Sequence, residues 1–222
     1  HHWTSDPVHL NVFKHKGYWY HGRKREFETM QLFGELLAPG DSVLEVGGHI
    51  GYVSLHLWHH IGPTGHLVVF EPSPKNLPYI RHNLDCHPGV RVVEQAAADF
   101  VGSATFYEEE LTGQNSTLIK NYSVFDMNRR RAHAEGKVRQ QELNVSCITI
   151  DEFLRQECLP SPSLVKIDVE GAEYMVLNGM KATLGNDGLA LMVEVTERSD
   201  EVLGLLESAG YLMFHPDKRA VA

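Results

Sequence analysis

Lys166, Asp168, Glu170 and Glu173 fall within eight positions of the segment SLVKIDVEGAEYMVL, Ser163 to Leu177. The run that carries them is apolar and β-branched, which predicts a strand buried on both faces, where charge is costly unless it is paired or used. By strand alternation Lys166, Asp168 and Glu170 share one side, so Lys166 can neutralise one carboxylate while the others face a cleft. Such a set can take a proton from a nucleophile, or it can be a structural ion pair at a strand end. Glu194, near the end of a second apolar run, would join Asp168 as an oxygen-donor pair for a magnesium ion, the alternative to direct base chemistry.

A second group lies in SVLEVGGHIGYVSLHLWHHIGPTGHLVVFEP, Ser42 to Pro72. Gly47, Gly48 and Gly51 remove side chains from a turn between a strand and a helix, where a ligand would approach the backbone and free helix amides would point at it. Glu71 closes the next strand roughly twenty residues after Gly51, at the distance from which a carboxylate accepts ribose hydroxyls. A bound nucleoside follows. The spacing EVGGHIG fails the GxGxxG pattern of dinucleotide sites, no P-loop lysine follows, and Glu45 beside the turn would repel phosphate. S-adenosylmethionine has a ribose, no phosphate and a cationic sulfonium, and it suits an acid-flanked glycine turn.

The elements that must position these groups alternate. The pattern predicts helix over 26–37, strand over 42–46, helix over 50–61, a strand ending at Glu71, helix over 74–87, and strands over 90–97, 102–109 and 138–150. A short helix over 151–156, strand over 163–169, helix over 174–184, strand over 189–195, helix over 200–209 and a last strand over 211–214 complete it. This order defines an α/β fold with a doubly wound, mostly parallel sheet and ligands at the strand carboxyl ends. Residues 1–28 form an aromatic and basic arm, a flap over the cofactor or packing against the sheet, and 29–222 form one domain. A polar excursion over about 110–137 would cross the active face. His1 and His2 are set aside as a tag remnant.

The 222 residues suit one domain, and a net charge of −9 with a pI near 5.8 disfavours binding to nucleic acid, whose phosphates reward basic clusters. Cys86, Cys147 and Cys158 are odd in number and lack CxxC spacing, which fits neither a disulfide framework nor a zinc site and points to the cytoplasm. No apolar run spans a bilayer and no signal peptide is legible. His56, His59 and His60 have helical spacing, but no carboxylate or cysteine joins them, so they read as helix-surface histidines. Arg129 to Arg131 read as a solvated loop run, with grip on an acidic substrate as the lesser alternative.

The chain resembles the FkbM family of S-adenosylmethionine-dependent methyltransferases through VLEVGGHIGYVS (Val43 to Ser54), FEPSPKNLPYIRHNL (Phe70 to Leu84), TIDEFL (Thr149 to Leu154) and LVKIDVEGAEYMVLNGM (Leu164 to Met180). The resemblance implies a class I, Rossmann-like methyltransferase fold that methylates a hydroxyl on a sugar, glycolipid or polyketide-like product. It places Glu45, Gly47 and Gly51, flanked by Gly48 and His49, on the methionine part of the cofactor. Glu71, with Pro72 beside it, takes the ribose, and Ala97, Ala98 and Asp99 take the adenine edge. Family members more often carry aspartate where Glu45 stands and asparagine where His49 stands. They usually add a last antiparallel strand after the position of Phe214, so the sheet edge is expected to be incomplete or completed by a second copy in a homo-oligomer. The competing classes are a nucleic-acid methyltransferase and a noncatalytic nucleoside-binding module.

Overall fold

The computed structural model describes residues 2–109, 114–120, 122 and 140–217, without the side chain of Arg23. Its elements are α1 (Lys16–His21), a 3-10 turn (Gly22–Lys24), α2 (Phe27–Leu36), β1 (Ser42–Val46), α3 (Tyr52–Ile61), β2 (His66–Phe70), α4 (Leu77–Leu84) and β3 (Val90–Val93). They continue with β4 (Ala96–Ala97), β5 (Gly102–Glu109), β6 (Gln140–Ile148), α5 (Ile150–Glu157), β7 (Leu164–Ile167), α6 (Glu173–Asn178), α7 (Lys181–Leu184), β8 (Ala190–Val193) and α8 (Ser199–Ser208). Strands and helices alternate in the main sheet as periodicity predicts, with strand order β3-β2-β1-β7-β8, all parallel.

The chain adds β2 and β3 on one side of β1 and returns to add β7 and β8 on the other. The crevice beyond the carboxyl ends of β1 and β7 is thus the switch point at which open α/β sheets bind ligands. Alternation divides the apolar side chains between two layers. Leu44, Val46, Val68, Phe70, Val165 and Ile167 pack into the core with Phe153 of α5, Val176 of α6 and Val202 of α8. Val43, Leu67, Val69 and Leu164 pack on the other face with Phe33 of α2, Leu57 of α3 and Ile80 of α4. Both faces of the central strands β1, β2 and β7 are buried, which is why these strands read as nearly continuous apolar runs.

Three expectations change. The strand expected over 90–97 stops at Val93, and Ala96–Ala97 joins a second sheet, of order β4-β6-β5. In it β5 and β6 pair antiparallel from Gly102↔Cys147 to Glu109↔Gln140, so β5 is no member of the parallel sheet. Only residues 98–101 separate β4 from β5, and a parallel crossover needs about a dozen residues or more. The helix expected over 174–184 divides at Gly179, where a Cβ would lie 1.9 Å from the carbonyl oxygen of Ala98. The strand expected over 211–214 is reduced to a bridge residue at Phe214.

His2, set aside above, is buried, and its Nε2 donates to the carbonyl of Tyr52 at 2.8 Å. The three cysteines are free, and among the described residues no helix is long and apolar enough to cross a membrane. Most of the 110–137 excursion, with Arg129 to Arg131, lies outside the described residues.

Candidate active site

The turn after β1 is tied to β2, since the amides of Gly47 and Gly48 both donate to the carbonyl of Phe70, at 3.0 and 3.1 Å. Gly47 has φ +92°, and a Cβ there would lie 1.8 Å from the carbonyl oxygen of Asp168. A side chain at Gly48 would meet Val69 and Ile80, and one at Gly51 would press on Ile80 and Leu84. The glycines are therefore demanded by neighbouring protein, with the end of β7 lying directly against the turn. Gly47 and Gly48 also line the cavity, whereas Gly51 does not; it starts α3 from below, against α4.

Register decides the partner of Lys166. Glu45 of β1 lies directly across from Lys166 of β7, and Lys166 Nζ stands 3.4 Å from Glu45 Oε1 and 3.1 Å from Asp168 Oδ2. Glu45 is fully buried and accepts a further hydrogen bond from the hydroxyl of Ser54 on α3. Burial alone would lower the Lys166 ammonium, yet Asp168 and Glu45 outweigh it and hold it above its ordinary value. Burial pushes the Glu45 carboxyl up, with Lys166 and Ser54 opposing. One ammonium serves two carboxylates, so the charge at the switch point is left negative. Glu45, read from sequence as a bare charge repelling phosphate, is instead the inner partner of an ion pair.

Glu71 follows β2 and is buried. It accepts from the amide of His49 at 2.7 Å, the amide of Ser73 at 2.9 Å and the side chain of Asn76 at 3.3 Å. Burial nevertheless raises its carboxyl to about 7, against these three donors. The second sheet holds this loop in place: Glu108 of β5 accepts from the hydroxyl of Ser73 and pairs with Lys75 at 2.7 Å.

The β7 side is built differently. The Asp168 amide donates to the Val46 carbonyl and the Glu194 amide to the Ile167 carbonyl, each at 2.9 Å. These bonds carry the strand ladder one residue further and bring the two carboxylates together. Asp168 and then burial raise Glu194 to about 6. Glu170 has left-handed backbone, φ +55°, and accepts from the hydroxyl of Tyr122. Burial lifts its carboxyl to about 7, with Asp168, Glu194 and Glu173 adding to the rise. Glu173 turns back to accept the amide of Gly171 at 2.8 Å and closes the turn, a structural task.

These groups line one cavity of about 380 Å³, within the usual range for small-molecule and cofactor sites. Its wall holds six carboxylates, Glu26, Glu45, Glu71, Asp168, Glu170 and Glu194, against two cations, Arg25 and Lys166. Such a wall favours a cationic ligand over a phosphate. S-adenosylmethionine fits this donor set: Glu71 keeps a lone pair on Oε2 for a ribose hydroxyl, and the acids of the wall face a positive centre.

Of the residues named from sequence, Glu45, Gly47, Gly48, His49, Glu71, Pro72, Ala97, Lys166, Asp168, Glu170 and Glu194 line the cavity. Ala98 and Asp99 do not: Ala98 is packed with its carbonyl against Gly179, and Asp99 is exposed. Gln95 and Ala96 stand in the lining beside Ala97 instead, because the strand breaks there to enter the second sheet. The donor set fits magnesium poorly, since the Lys166 ammonium already occupies Asp168, and among the described residues no three His, Cys, Asp or Glu side chains converge as a metal site. His56 is buried and donates through Nε2 to the Met30 carbonyl at 2.8 Å, a core histidine and not a helix-surface one.

Sequence reasoning missed most of the arm's contribution. Tyr18, Arg25 and Glu26 line the cavity; the Tyr18 hydroxyl shares a 2.9 Å hydrogen bond with His49 Nδ1, and the Arg25 guanidinium lies 4.3 Å from the Tyr18 ring centre. Tyr18 is buried in the core and also lines the cavity. Tyr122 was missed as well, for want of any local signal in a polar stretch.

A parallel sheet in this order, with a glycine turn after β1, an acid after β2 and carboxylates after β7 and β8, defines the Rossmann-like methyltransferase fold. The family model described as the methyltransferase FkbM domain matches residues 45–213. The chain belongs to that family. It is similar to 31-O-demethyl-FK506 methyltransferase FkbM of Streptomyces tacrolimicus, at 29% identity over 67% of this chain and 62% of that protein. It is also similar to hexuronic acid methyltransferase AglP of Haloferax volcanii, at 24% identity over 72% of this chain and 58% of that protein. Among solved structures, methyltransferase FkbM from Methylobacillus flagellatus KT superposes with a TM-score of 0.49 and 14% identity, covering 91% of this chain and 59% of that one. The chain thus spans about three fifths of the length of these relatives.

Proposed function

We propose that this chain binds S-adenosylmethionine in the acid-lined cavity and directs methyl transfer to a hydroxyl oxygen of a sugar or small natural product. The observation that carries the reading is the excess of carboxylates around the switch point, with Glu71 at the end of β2 for the ribose. When bound, the cofactor supplies an electrophilic methyl on a sulfonium, and an acceptor oxygen displaces the neutral thioether. The chain's own task is to align that oxygen, exclude water and accept the hydroxyl proton. Glu170 is the proton acceptor, because a carboxyl near 7 in the cavity wall is matched to the task, while Asp168 is held by Lys166. Asp168 and Glu194 face the cationic part of the cofactor, and Lys166 offsets the charge of Asp168 and of Glu45 behind it.

The names of two relatives support an oxygen acceptor on a natural product and a sugar acid as an acceptor class. The free cysteines fit action in the cytoplasm. The experiment is binding of S-adenosylmethionine by calorimetry, followed by transfer of its labelled methyl group to sugar and lipid-linked acceptor extracts. Binding retained and transfer lost in Glu170→Gln supports catalysis, whereas Asp168→Asn is expected to weaken binding. Binding without transfer to any fraction would make the chain a noncatalytic nucleoside-binding module. Salt-sensitive labelling of nucleic acid would move it to the other competing class. Activity unchanged by chelator is expected.

A further inference from the structure

Tyr122 is among the largest fully buried side chains of the described residues, although it comes from a polar stretch of sequence. Its ring is seated on Gly171: a Cβ there would stand 3.0 Å from Tyr122 Cδ2 and 3.1 Å from Cε2, and also 3.0 Å from Glu197 Cγ. Gly171 has φ +98° and Glu170 has φ +55°, conformations that L side chains adopt rarely and that persist only when the surroundings enforce them. The turn that presents Glu170 to the cavity is therefore bent around the tyrosine ring. At its other end the phenol hydroxyl donates to Glu170 Oε2.

We infer that Tyr122 is a positioning residue for Glu170, fixing the direction of its carboxylate into the cavity and supplying the hydrogen-bond donor that lets it ionise among acids. The inference rests on the reading of Glu170 as proton acceptor. The charged groups facing Glu170 are Asp168 after β7, Glu194 after β8 and Glu173 of α6, and each disfavours its ionised form. Lys166 is engaged with Glu45 and Asp168. Among the described residues the phenol stabilises the Glu170 carboxylate through its hydrogen bond. With one oxygen committed to Tyr122, the other is left to receive a proton from an acceptor hydroxyl. The phenol keeps its own proton, since burial and the acids around it raise it far above neutrality.

The test needs no acceptor. Glutamate carboxyls labelled with carbon-13 are titrated by NMR in the full chain, and the Glu170 signal is assigned by its loss in Glu170→Gln. Loss of a hydrogen bond to a charged group is worth about 1.5–3 kcal/mol, so Tyr122→Phe should raise the Glu170 midpoint by about one to two pH units. An unchanged or lowered midpoint in a folded Tyr122→Phe protein overturns the inference, because a ring that merely packs would not move it. Should the phenylalanine variant fail to fold, 3-fluorotyrosine at position 122 keeps the ring and strengthens the donor. The midpoint should then fall, and no movement counts against the inference. Failure of the proposed reaction would appear separately, as absent binding of S-adenosylmethionine or absent transfer, while the midpoint is read on the protein alone.

Discussion

Glu45 and Glu170 line the same cavity from opposite sides of the switch point, and the same side chain has two different tasks. Glu45 is enclosed by strands, with a lysine in register across from it and a serine hydroxyl from α3 above it. Glu170 sits on a strained turn among Asp168, Glu194 and Glu173, with one phenol to steady it. A buried carboxylate that faces a cation holds a fold together. One that faces other carboxylates keeps a proton within reach of neutrality and can do chemistry. What surrounds the carboxylate separates the roles, while burial is common to both.

Glu170→Gln tests the chemical side most strongly. Removing a general base typically costs about 10²- to 10⁴-fold in rate, so methyl transfer should fall by that range while S-adenosylmethionine affinity, read by calorimetry, stays nearly constant. Equal losses of binding and turnover would erase the distinction from Glu45. On the structural side, Lys166→Met leaves Glu45 buried without its cation. Breaking a buried pair in this way costs about 3–5 kcal/mol, to be read from urea unfolding. Glu45→Gln combined with Lys166→Met should recover most of that loss, and failure to recover it would show that the pair does more than neutralise charge.

Glu71 stands between the two cases, since it is held by amide donors but faces no cation. Glu71→Gln should weaken S-adenosylmethionine binding by about 10- to 100-fold, the worth of a hydrogen bond to a charged acceptor, and should lower the thermal midpoint, because the glutamine NH2 would face one of the N–H donors that Glu71 now accepts from. The smallest effect is on pH. Glu71 and Glu170 near 7 and Glu194 near 6 lie above the ordinary carboxylate value. These three acids bind more protons folded than unfolded between about pH 4.5 and 7, and their contribution outweighs the opposite one of His15 and His56, which burial lowers to about 4, so stability falls on balance as pH rises toward 7. The melting temperature without cofactor should be lower at pH 8 than at pH 5.5 by about 3 °C or more. Saturating S-adenosylmethionine should narrow the gap, because a cation prefers the ionised wall.

Much of this site is legible in the chain itself. The strand, glycine turn and helix from Ser42 to Ile61 follow from local periodicity, and so do Glu71 after the second strand and the acids after β7, because each depends on residues a few positions away. The α/β order follows for the same reason. Other features depend on pairs far apart in sequence. Register across β1 and β7 made Glu45 the partner of Lys166. Antiparallel pairing took β5 and β6 out of the main sheet, where they anchor the Glu71 loop through Glu108 and Ser73. Folding of the arm set Tyr18 beside His49, and Gly171 made room for Tyr122. Periodicity records which face a residue turns toward the core, whereas the tertiary structure decides which residue it meets there, and that meeting raises Glu45, Glu71, Glu170 and Glu194 above the ordinary carboxylate value.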